Sequence, residues 1–106
     1  MTKAMRQVPI QRMHLDANGR LRLQPDELPD GGYEWIYRDA SSVRWDADKQ
    51  ELYMLEVPGF TPEREFNQII SAVQREYGQN LLLTDSTVFA GIPALIVAAI
   101  RSLTNE

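Results

Sequence analysis

The sequence predicts an α+β fold: a mainly antiparallel sheet of five or six strands with two helices packed on one face. Three observations predict it. Short segments rich in aromatic and β-branched residues fill the first half of the chain, punctuated by Asn18-Gly19, Asp30-Gly31-Gly32 and Pro58-Gly59 turn signals. Apolar side chains then recur at helical spacing from Pro62 to Tyr77. A short apolar run, Leu81-Leu82-Leu83, and a second apolar helical segment complete the chain. The 106 residues read as a single domain, with an N-terminal hairpin region at 1–24, aromatic strands at 33–57, a helix at 62–77 and an apolar helix at 93–103. A chain of this length supports one modest core and is too short for a TIM barrel or a full dinucleotide-binding fold.

The first hairpin joins strands near Val8–Leu15 and Arg20–Gln24. A two-residue Asn18-Gly19 turn would mix Leu21 with Arg12 and His14 on one face. A three-residue loop, Ala17-Asn18-Gly19, with Gly19 in the left-handed region, instead places Met13, Leu15, Leu21 and Leu23 on one face and Arg12, His14, Arg20 and Arg22 on the other. The second register segregates apolar from polar side chains and is preferred. It leaves Val8 and Ile10 pointing to the polar side, with Pro9 marking an edge or a break. Tyr33–Arg38 reads as a third strand, and Ser42–Asp46 with Glu51–Val57 as a second hairpin around Ala47-Asp48-Lys49-Gln50.

The helix at 62–77 has Thr61 to cap it, Pro62 at its first position, and Glu63 and Glu65 near the positive end of its dipole. Phe66, Ile69, Ile70, Val73 and Tyr77 form its apolar stripe, and Gly78 stops it. Leu81–Thr84 reads as a central strand buried on both faces. In the helix at 93–103, Leu95, Ile96, Ala99 and Ile100 lie on one face, while Ala94, Val97 and Ala98 make the other apolar too. A helix apolar nearly all round is buried on more than one side. In so small a domain the second side is expected to be another subunit, with Leu95, Ile96, Ala99 and Ile100 as the oligomer interface of a homodimer.

Composition narrows the chemistry. There is no cysteine, so disulfides, thiolate metal sites and a cysteine nucleophile are excluded. The polar stretch Met1–Gln7 lacks the apolar core of a signal peptide, and the longest run without a polar side chain, Val88–Ile100, is shorter than the roughly 20 residues of a spanning helix. A cytoplasmic protein without a membrane association is expected. The net charge of −4 hides an asymmetry: residues 1–25 carry a net +4 and residues 26–106 a net −8. The acidic body makes nucleic acid an improbable partner, although the basic stripe Arg12, His14, Arg20 and Arg22 could touch phosphate or an acidic protein.

No catalytic residues are assigned. His14 is the single histidine and has no evident nucleophile beside it. Asp46-Ala47-Asp48 resembles the start of a calcium loop, but Glu51 stands where glycine belongs and Val57 where glutamate belongs, so a solvated turn is expected. Neither GxGxxG, GxxxxGK nor GxSxG occurs. No metal and no cofactor are expected. Five of the nine aromatics, Tyr33, Trp35, Tyr37, Trp45 and Tyr53, fall within 21 residues. They form either a core wall under the helices or a ligand or partner surface.

Two stretches, YEWIYRDASSVRWD (Tyr33 to Asp46) and REYGQNLLLTDSTVFAGIP (Arg75 to Pro93), resemble small bacterial proteins encoded on mobile integron gene cassettes. The resemblance covers residues 33–103 and leaves the N-terminal hairpin outside. It implies a compact α+β domain of accessory type, often self-associating, with no assigned reaction, and it carries over no functional residues. The expectation is therefore a non-enzymatic, self-associating protein-interaction module with a possible further protein partner. The alternative is a small-ligand-binding domain or small enzyme built on the aromatic residues, and a third reading is weak nucleic-acid binding through the arginine hairpin.

Overall fold

A computed structural model describes residues 6–38 and 42–104. Six strands form one mixed sheet: β1 (Arg6–Leu15), β2 (Leu21–Pro25), β3 (Val43–Asp46), β4 (Glu51–Met54), β5 (Gln79–Leu82) and β6 (Val88–Ala90). The helices are α1 (Pro62–Tyr77) and α2 (Ala94–Thr104). The sheet order is β3-β4-β2-β1-β5, with β6 also on β1. The β1–β2, β2–β4 and β3–β4 pairs are antiparallel, whereas β1 pairs in parallel with both β5 and β6. The first five residues of the hairpin region lie outside the described residues.

The β1–β2 hairpin takes the register with the clean apolar face: Leu15 opposes Leu21 and Met13 opposes Leu23. Asp16 and Arg20 close a three-residue loop, the Asp16 N–H donating to the Arg20 carbonyl at 2.9 Å, and Gly19 has φ 75°. Val8 and Ile10 do not point to the polar side, as alternation alone would have it. The pairing shifts between Ile10 and Arg12, so Gln11 is an extra residue that resets the pleat. Val8, Ile10 and Met13 all enter the core.

The other edge of β1 is shared. Residues 6–9 pair with β5 and residues 12–14 with β6. At the junction the buried Thr87 hydroxyl donates to the Ile10 carbonyl at 2.7 Å and accepts from the Thr84 N–H at 3.0 Å. The buried Ile10 carbonyl beside the bulge is thereby satisfied by the turn that links the two strands.

Two expected elements are corrected and one strand is added. Tyr33–Arg38 is not a strand but a turn followed by one 3-10 turn, Ile36–Arg38, with Ile36 N–H bonded to Tyr33 O and Arg38 N–H to Trp35 O, both at 3.0 Å. The alternating aromatics suggested a strand, yet the two residues the core takes, Tyr33 and Ile36, are three apart, the 3-10 period. Leu81–Thr84 is not a central strand: β5 begins earlier, at Gln79, lies at the sheet edge and alternates buried with half-buried residues. The short strand β6 replaces part of what reads as a continuous apolar run.

Helix α1 has the expected bounds, with Pro62 in its first turn and its end at Gly78, whose N–H bonds the Gln74 carbonyl. Thr61 precedes it without a side-chain capping bond; its carbonyl accepts from the Glu65 N–H at 2.9 Å. Glu65 lies in the first turn of α1, as expected, but it is buried. It is 1% exposed and receives Arg20 Nη1 at 2.9 Å and the Leu21 N–H at 3.2 Å. This pins the start of α1 to the start of β2. The core holds Val8, Met13, Leu23, Leu52, Phe66, Ile69 and Ile100, with Tyr33 among them, fully enclosed.

Tyr33 stands edge-on to Trp45 (centroids 5.3 Å apart) and Tyr77 (5.0 Å) and donates its hydroxyl to Gln79 at 2.6 Å. Gly32, at φ 71°, lets the Trp45 ring lie where a Cβ would be only 2.7 Å from its indole nitrogen. Gly32→Ala is expected to cost about 1–3 kcal/mol, through both the positive φ and the clash. Gly59→Ala, at φ 83° but in open space, is expected to cost less, and urea unfolding midpoints read the difference. Glu65→Ala is expected to remove about 3 kcal/mol by orphaning Arg20 and the Leu21 N–H, read as a lowered melting temperature.

Candidate functional site

The face of the sheet that carries the predicted basic stripe is built by cross-strand registry. Arg44 opposes Tyr53, Tyr53 opposes Arg22, Arg22 opposes His14 and His14 opposes Ala90. The period of two that sends Met13 and Leu23 into the core brings these side chains together on the opposite side. Arg22 lies at the centre. Its Nη1 reaches Asp46 at 3.0 Å and Glu51 at 3.2 Å, and its Nε lies 3.5 Å from Asp16. The guanidinium also stacks over Tyr53, 4.4 Å from the ring centroid. Glu51, almost wholly buried, shares its other oxygen with His14 Nε2 at 2.7 Å.

The stripe is therefore not a row of free cations. Arg22 and His14 are bound to carboxylates, Arg20 has crossed to Glu65 and Glu56, and Arg12 alone of the four is an exposed residue. Burial works against the Arg22 charge, but Asp46 and Glu51 outweigh it and hold the guanidinium protonated beyond its ordinary range. Among the described residues, no three His, Asp or Glu side chains are grouped to hold a metal ion.

The carboxylates at the rim of the network are held ionised. Asp46 Oδ1 accepts from the Lys49 and Asp48 N–H groups at 3.1 Å each, and with the Arg22 contact this sets its pKa below the ordinary 3.8. For Asp16, burial pushes upward, but bonds from the Arg20 and Asn18 N–H groups, together with Arg22, bring the pKa below 3.8 as well.

The predicted aromatic surface is divided. Tyr33 is core, Trp45 is half-buried against it, and Tyr53 lies under Arg22. Trp35 and Tyr37 are exposed, their ring centroids 6.1 Å apart, with Arg38 4.2 Å from the Trp35 centroid. The Trp35 N–H donates to the Tyr77 hydroxyl at 3.1 Å, which fixes the turn to the end of α1. These five side chains do not line one cleft.

The predicted oligomer face is also divided. Ile100 is fully buried in its own core and Ile96 packs against that core, while Ala99 is half-buried. Leu95 is 86% exposed, and Ala94 and Ala98 are exposed beside it. Of the eleven residues of α2, Arg101 alone carries a charge. The helix thus gives one apolar edge to its own chain and turns another outward.

A family profile described as Integron Cassette Protein Hfx_Cass5 matches residues 10–87. The chain belongs to this integron cassette protein family. A solved structure, the integron cassette protein Hfx_Cass5 from the mobile metagenome of the North West Arm Sewage Outfall, is similar at 22% identity, over 97% of this chain and 100% of that one, with a TM-score of 0.46. No curated protein matches. The family match begins at Ile10 and so includes the hairpin that the resemblance at residues 33–103 leaves out. It closes at Thr87, the residue that seals the β1 bulge of the cassette protein. No helix among the described residues of the cassette protein is long and apolar enough to cross a membrane.

The pH response of the polar network follows from its carboxylates. Because the folded pKa values of Asp16 and Asp46 lie below 3.8, their contribution to stability is present in full above the unfolded value. It is lost as pH falls through the lower, folded values. Asp46→Asn is expected to flatten the acid limb of stability below about pH 4 and to change the slope little at neutral pH, as measured by urea unfolding across a pH series.

Proposed function

We propose that this protein is a non-enzymatic, self-associating interaction module of the cytoplasm, a homodimer formed through the outward edge of α2, with surface left for a further protein partner. The single observation that carries the reading is Leu95, 86% exposed on a helix with one charged residue. Soluble helices cover their solvent face with charge, and an apolar exposed face marks an interaction site. Ala94 and Ala98 flank Leu95 and permit close approach of a second helix. Two copies related by a two-fold axis would bury the same edge against itself, the commonest symmetry of homo-oligomers.

The readings through the aromatic residues and the arginine hairpin have weaker support. Tyr33 is used up by the core, and Arg20, Arg22 and His14 already hold carboxylates.

Leu95→Asp tests the proposal without touching the core. Loss of two buried leucines, roughly 1.5–3 kcal/mol each, weakens the dimer by about a hundredfold or more. Light scattering behind a sizing column, run across concentrations, is expected to give the dimer mass for the native chain and the monomer mass for the variant, which still unfolds cooperatively at a melting temperature that no longer depends on concentration. A monomeric native chain, or a variant of unchanged mass, overturns it.

A further inference from the structure

The loop between β1 and β2 holds an asparagine in the sequence context that most readily loses its side-chain amide. Asn18 is exposed at the hairpin tip, and of the chain's asparagines it alone precedes a glycine. The reaction is internal. The Gly19 backbone nitrogen, once it has given its proton to water or hydroxide, attacks the carbonyl carbon of the Asn18 side chain. A new C–N bond closes a succinimide ring, and the side-chain nitrogen leaves as ammonia. Water then opens the ring at either carbonyl, to aspartate or to isoaspartate. Glycine obstructs this least, because it has no Cβ and the freest backbone. Nothing beyond its chain neighbours lies within 4 Å of where a Gly19 Cβ would stand, so the fold adds no steric shield. Asp30-Gly31 could close the same ring only from a carboxylate, a far poorer electrophile at neutral pH.

Hydrogen bonds to a single residue oppose the reaction. The Gly19 N–H, whose nitrogen must attack, donates to the Asp16 carbonyl at 2.9 Å. Asp16 Oδ1 accepts from the Asn18 N–H at 2.9 Å and from the Arg20 N–H at 3.0 Å. The peptide groups on both sides of Asn18 are therefore tied to Asp16. Ring closure requires the Asn18–Gly19 peptide to swing onto the Asn18 side chain, and that movement breaks the bond to the Asp16 carbonyl. The two products differ in what they do to the hairpin. Aspartate keeps the loop length and adds an exposed charge. Isoaspartate routes the main chain through its side chain and lengthens the loop by one carbon. The length of this loop is what sets Leu15 opposite Leu21 and Met13 opposite Leu23.

We propose that Asn18 is a deamidation site held in check by Asp16: the closed loop suppresses the reaction, each opening of the hairpin permits it, and isoaspartate then opposes return to the native register. The site is separate from Leu95 and does not depend on self-association. The full chain is incubated at neutral pH in buffer and in urea above its unfolding midpoint, and modification at each asparagine is followed by peptide mapping with mass spectrometry. Asn18 is expected to be modified before Asn67 and Asn80, and about tenfold or more faster in urea than in buffer. Asp16→Ala, where it still unfolds cooperatively, is expected to raise the rate in buffer toward the urea value, and the comparison of buffer with urea needs no variant. The isoaspartate form, separated by ion exchange, is expected to melt below the native chain, while Asn18→Asp melts with it. Equal rates in buffer and urea, earlier modification at Asn67 or Asn80, an unaltered rate in folded Asp16→Ala, or an isoaspartate form that melts with the native chain overturns the proposal.

Discussion

The register shift between Ile10 and Arg12 is the constraint on which the rest of the fold depends. Without it, β1 would send Val8 and Ile10 to the polar side of the sheet while Met13 and Leu15 face α1. One extra residue reconciles the two halves. It also divides the far edge of β1 into two docking stretches, one for β5 and one for β6, and Thr87 satisfies the carbonyl left at the seam. The core and the pairing of the C-terminal strands are thus set at the same place.

Where local physics is strong, the sequence is legible. Helix α1 announces itself through Pro62, the Phe66-Ile69-Val73 stripe and Gly78, and it has those limits. The first hairpin follows from one requirement, that apolar side chains share a face. What the sequence conceals is decided by distant partners. The bulge at Gln11 has no local signature, because its reason is a turn more than seventy residues away. The Tyr33–Arg38 segment has the composition of a strand and the geometry of a 3-10 turn, because Gly32 and Trp45 lock it from outside. Glu65 reads as an N-terminal acid; only the arrival of Arg20 and the Leu21 N–H explains its burial.

The surfaces divide in the same way. Alternation along β1 and β2 places Arg12, His14 and Arg22 on one side, but which charges meet them comes from β4 and the β3–β4 turn. Of the stripe that is basic in sequence, Arg22 and His14 are drawn into one network with Asp46 and Glu51, while Arg12 stays exposed. The apolar character of α2 is legible, while the depth to which each residue sinks is not: Ile100 goes to the core and Leu95 to the outside.

The parallel pairing of β1 with β5 and β6 has a consequence for synthesis. Arg6 pairs with Gln79 and His14 with Ala90, so the first strand made is completed by the last. At a translation rate of about 5–20 residues per second, the N-terminal hairpin is complete roughly 3–13 s before the strands that finish its edge. Through that interval the nascent chain carries an open, half-apolar sheet edge. Contacts so distant in sequence are also the slow ones to form. Folding of this small domain is therefore a late event at the ribosome, finished only once β6 has emerged.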